Sequence, residues 1–145
     1  MQFIPLKPTA AALLGAAVGI ASSYVVLFIS GLVFVWALVW SGVPENESYA
    51  RAYESTAYLA FAHALGFVCM LPGGLWAARF SERAHTRNAA IAGLLVALFA
   101  LTANLVPYYL PVPLWSKVAS TILPIPAFML GAAFHRNGGA ANNAV

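Results

Sequence analysis

The sequence predicts an all-α integral membrane protein, a bundle of four transmembrane helices with both termini in the cytoplasm. Three observations lead there. Hydrophobic residues make up 62% of the 145 residues and charged residues 8%, against about 25% charged in ordinary globular proteins. Four long apolar stretches fill most of the chain, the first of them running from Thr9 to Val43 without one Asp, Glu, Lys, Arg or His. Finally, the few Lys and Arg residues are unevenly distributed over the connecting segments, which orients a membrane protein.

The first span is read at about 10–42. At 1.5 Å per residue it is roughly 50 Å long, more than the ~30 Å hydrocarbon core, so it must tilt, kink or project. Its length also exceeds a signal peptide's apolar region, so it is read as a retained helix. Gly15 and Gly19 form a GxxxG step in its small-residue first half, a spacing that lets helix backbones approach closely. Phe28, Phe34, Trp36 and Trp40 make the second half bulky, with Trp40 placed as an interfacial anchor.

A polar turn is expected at Ser41–Ser48, rich in acidic residues. The second span follows at about 54–80, with His63 near its middle and Pro72-Gly73-Gly74 before its end. Proline removes one backbone bond and crowds the preceding turn, so a kink is expected between Val68 and Pro72. The third span is placed at about 89–110 and carries Asn104 and Pro107. A tight Pro-rich turn, Leu110 to Pro113, leads to the fourth at about 114–134, interrupted by Pro124-Ile125-Pro126. Residues 1–136 are thus one transmembrane domain, and 137–145 a disordered polar tail.

With four spans, Lys7, Arg79, Arg83, Arg87 and Arg136 fall on one side and Arg51 and Lys117 on the other. The positive-inside rule puts the richer side, and with it both termini, in the cytoplasm. The expected location is the plasma membrane, the inner membrane if the source is bacterial.

Several polar side chains are candidates for chemistry. Helical rise places His63 roughly 13 Å and Asn104 roughly 9 Å below the outer surface. Ser120 and Thr121 reach a similar level, and Ser30 lies somewhat deeper. These five residues form a candidate substrate site if they face inward, because an unpaired polar group in lipid is costly. The alternative is that they only hold helices together, at about 0.6–2 kcal/mol per interhelical bond. Arg79, Arg83 and Arg87 follow an i, i+4, i+8 spacing and form one stripe if the second helix continues past the membrane. Such a stripe suits anionic headgroups or phosphate, or simply enforces topology.

The net charge of +3 rests on too few scattered cations for nucleic-acid binding. The lone Cys69 reads as a small hydrophobe, no CxxC or Cys/His cluster suggests a metal, and no cofactor is expected. No span carries an embedded Asp or Glu, which argues against antiport through a membrane carboxylate. No catalytic motif is recognised, so enzyme activity has no positive support. The leading expectation is a structural or accessory subunit that packs against itself or a larger membrane partner. The alternatives are an oligomeric transporter or channel with a site around His63 and Asn104, and a binder or enzyme acting on a lipid-soluble anionic molecule.

Overall fold

The computed structural model describes residues 7–81, 85–106 and 112–142. It is built of six helices: α1 (Pro8–Trp40), α2 (Glu45–Glu54), α3 (Thr56–Arg79), α4 (His85–Leu105), α5 (Leu114–Ile122) and α6 (Pro124–Asn142). Four stretches are long and apolar enough to cross a membrane: Pro8–Trp40, Thr56–Arg79, His85–Leu105 and Leu114–His135. The four long apolar helices expected from composition are therefore present among the described residues.

Helix α1 starts at a proline, whose missing N–H is not needed in the first turn. It ends at Gly42, whose φ of 95° suits glycine. The Gly42 amide bonds back to Val39 and the Val43 amide to Leu38, closing the last turn in a Schellman motif.

Two expectations are corrected and one gains detail. The second half of the segment read as a polar turn, from Glu45 to Ser48, begins helix α2. Glu45 and Glu47 occupy its first turn and Arg51 its last, complementing the helix dipole at both ends. Arg51 also lies 3.6 Å from Glu47, one turn earlier. The Ser55 hydroxyl accepts the Tyr58 amide at 3.3 Å and so caps α3, which separates α2 from the second span. Next, the interruption expected at Pro124-Ile125-Pro126 divides the fourth span into α5 and α6. Pro124 and Pro126 occupy the first turn of α6, where missing donors are tolerated, but they cannot bond back into α5. Last, the arginine stripe does not exist as one helix face. Helix α3 stops at Arg79 and Arg87 lies in the first turn of α4.

Pro72, in contrast, lies inside an unbroken α3. Helix α4 begins at His85, earlier than expected, and Pro107, Leu110, Glu82 and Arg83 lie outside the described residues. Helix α6 continues to Asn142, past the point where a disordered tail was expected to begin.

The spans alternate in direction and pack in the order α1, α3, α6, α4 and back to α1, with α3 also touching α4. Small residues make this packing close. A side-chain carbon on Gly15 would lie 2.5 Å from the Ala77 Cβ and 2.7 Å from the Gly73 carbonyl. One on Gly74 would collide with the Phe128 carbonyl, and one on Gly131 with the Leu71 carbonyl. Alanine has no place at these seams, so α1, α3 and α6 meet backbone to backbone.

Phe128 of α6 fills the space that the glycines leave. It is fully buried; a carbon added to Gly19 or Gly73 would strike its ring and one on Gly74 its backbone, while Gly93 of α4 lies close to its Cβ, where an added carbon would stand 3.2 Å away. One aromatic ring thus plugs a socket made by α1, α3 and α4. Ala12, Ala16, Ala77, Ala89, Ala92 and Ala132 complete this core. The Ser22 hydroxyl adds a polar tie from α1 to α3, 2.6 Å from the Cys69 carbonyl.

Candidate functional site: a side cavity with a polar end

Toward the α2 end of the bundle the packing opens. The bulky half of α1 cannot approach its neighbours as the glycine half does, and a cavity of about 470 Å³ remains between α1, α3 and α4. Its walls are mostly apolar and aromatic, with Leu27, Phe67, Met70 and Val96 among them. Tyr53 of α2 and Tyr58 of α3 line it near the α2 end. Tyr24 of α1 and Phe99 of α4 also line it and stand edge to face, ring centres 6.5 Å apart. Tyr24, Phe28 and Phe99 are all about half exposed or more, at 59%, 68% and 48%.

One end of the cavity is polar, and helix α5 makes it so. Ser116, Lys117, Ser120 and Thr121 share this short helix. His63 Nε2 and the Ser116 hydroxyl are 2.8 Å apart, and the Trp115 ring meets the imidazole edge to face at 5.6 Å. One residue along, the Lys117 carbonyl begins a second cluster. Asn104 donates its amide hydrogens among that carbonyl at 3.1 Å, Ser120 Oγ at 3.0 Å and Thr121 Oγ1 at 3.3 Å. The amide has two hydrogens for three acceptors, so these contacts are shared. Ser120 and Thr121 in turn donate to the Lys117 carbonyl at 2.9 Å.

Of the five candidate substrate residues, His63, Asn104 and Ser120 line the cavity. Thr121 joins them through Asn104. Ser30 does not; its hydroxyl donates to the Leu27 carbonyl in its own helix at 3.0 Å. Ser116 and Trp115 were missed because nothing in the sequence orients α5 toward His63. The tyrosines were missed because aromatics in an apolar run read as membrane anchors. Of the three candidate headgroup residues, Arg79 and Arg87 lie at the opposite end of the bundle from the cavity, and Arg83 lies outside the described residues.

Chemically, the pieces form a container. The cavity offers a large apolar surface and, at one end, an imidazole, a carboxamide and a hydroxyl. The described residues hold no group of three or more His, Cys, Asp or Glu that would bind a metal. Compared with family models, with curated proteins and with solved structures, the chain matches none.

Proposed function

We propose that this protein binds a lipid-soluble small molecule of largely apolar character in the cavity between α1, α3 and α4. The molecule's one or two polar atoms would meet His63, Asn104 and Ser120. The single observation behind this reading is that 470 Å³ space with its apolar walls and polar end. It falls in the 300–1,000 Å³ range of small-molecule sites, which combine apolar walls with a few placed polar groups. The exposed Tyr24 and Phe28 lie near the midpoint of α1, with Phe99 of α4 beside Tyr24, so the ligand enters sideways from the bilayer.

One of the observations behind the accessory-subunit reading has another use. The small-residue face of α1 packs on α3 and Phe128 within this chain. What α1 turns outward instead are large side chains such as Val25, Ile29 and Val33, which lipid covers at no cost. Arg79 and Arg87 stand at the far end, so the headgroup role read for them does not reach this cavity.

The reading carries a multi-pass location in the plasma membrane, with the end bearing Lys7, Arg79 and Arg87 in the cytoplasm by the positive-inside rule.

Gly66 provides the test. It lines the cavity, and a carbon added there would meet only the Leu27 Cδ1, at 3.6 Å. Gly66→Leu therefore fills the cavity without disturbing the glycine seam. Detergent-purified protein should bind a solvatochromic apolar dye, and native mass spectrometry should show a co-purifying lipophile. Gly66→Leu should lose both, while Ala64→Leu on the exposed face keeps them. Equal dye binding by a folded Gly66→Leu protein would sink the proposal.

A further inference from the structure

His85 and His135 lie 50 residues apart in sequence, yet the fold brings their rings together at the end of the bundle opposite the cavity. Their ring centres are 5.4 Å apart with the planes at 61°. His85 opens α4, and His135 lies on α6 as the fourth span ends. From these positions we infer a binding site for one borderline transition-metal ion, Zn²⁺, Ni²⁺ or Cu²⁺, held by the two imidazoles.

The spacing fits. A ligating imidazole nitrogen stands about 2.0–2.1 Å from Zn²⁺, and the ring centre lies roughly 1.1 Å beyond it. Two such rings at the tetrahedral angle have centres roughly 5.2 Å apart by that geometry. The observed 5.4 Å between ring centres is close to that separation.

The orientation of His85 is the independent observation. Its Nδ1 lies 2.6 Å from the Ala78 carbonyl at the end of α3. A carbonyl only accepts, so the proton is on Nδ1, and Nε2 carries the free lone pair. Metal-binding histidines are prepared in this same way, the second ring nitrogen donating to a backbone carbonyl that fixes tautomer and ring plane.

His85 is exposed, so water completes the coordination sphere, and no third His, Cys, Asp or Glu among the described residues joins the pair. A two-imidazole site discriminates by ligand type. Imidazole suits Zn²⁺, Ni²⁺ and Cu²⁺, whereas Mg²⁺ and Ca²⁺ demand oxygen ligands. Once bound, the metal staples the start of α4 to α6, two elements joined elsewhere by Gly93 packing on Pro124 and Ile125.

The experiment is metal titration of full-length protein purified without a histidine tag, by calorimetry with Zn²⁺, Ni²⁺ and Mg²⁺ separately. Zn²⁺ and Ni²⁺ should each bind once per chain, Mg²⁺ should give no saturable heat, and added Zn²⁺ should raise the melting midpoint. His135→Ala should weaken Zn²⁺ binding by at least about tenfold. His85→Gln, which keeps a donor for the Ala78 carbonyl and so preserves the end of α3, should do the same. Cys69→Ala should leave Zn²⁺ affinity unchanged, which excludes stray thiol binding. Absence of saturable Zn²⁺ binding to the wild type overturns the site. So does undiminished binding by either folded histidine variant, or competition by Mg²⁺ at equal concentration.

Discussion

Asn104 illustrates how a single side chain serves both packing and binding. Its amide ties α4 to α5 through the Lys117 carbonyl and two hydroxyls. Asn104→Leu should lower stability by about 0.6–2 kcal/mol, the range for interhelical bonds in a bilayer, read by denaturation in mixed micelles. A change near zero would mean that the carboxamide is held for ligand alone. That Asn104, Ser120 and Thr121 lie at one depth was legible from helical rise, since three residues a fixed number of steps from a helix end must do so. That His63 pairs with Ser116 instead was not, because rise fixes depth but not the direction a side chain faces. Phe128 gives the apolar counterpart. Lipid is as apolar as the bundle interior, so Phe128→Ala forfeits only packing, roughly 2 kcal/mol for a cavity of about 100 Å³. The same denaturation assay checks it.

Between elements, contact is controlled by where a carbon can be tolerated. Alanine at Gly74 or Gly131 would strike a backbone carbonyl of the facing helix, whereas alanine at Gly66 meets only a leucine tip. Gly74→Ala and Gly131→Ala should therefore reduce the monodisperse fraction in detergent chromatography, and Gly66→Ala should not. Equal profiles for all three would mean that the seam is looser than described. The GxxxG step at Gly15 and Gly19 announced one side of this seam in the sequence. Its partners at Gly73 and Gly74 were masked by the adjacent Pro72, which made the triplet read as a break. Helix α2 was hidden for a related reason. Its polarity resembles a turn, and only the placement of Glu45, Glu47 and Arg51 at opposite ends signals a helix. The division of the last span at Leu123 was half visible, since Pro124 and Pro126 marked the place but not that both fit a new first turn.

For the molecule as a whole, hydropathy alone revealed four spans, because no water-soluble core of this size could hide them. The order of helices around the bundle was not legible, since all four present apolar surface on every side. Orientation makes the remaining prediction. Reporter tags on the two termini should both show cytoplasmic location in topology assays, and opposite locations would overturn the even number of crossings. The glycine socket around Phe128 has one more consequence. Three of its walls come from segments synthesised early, while the ring that closes it belongs to the last span. Without that segment the earlier three surround a gap the size of one aromatic ring, so a chain cut short after α4 is left with an unsealed hole.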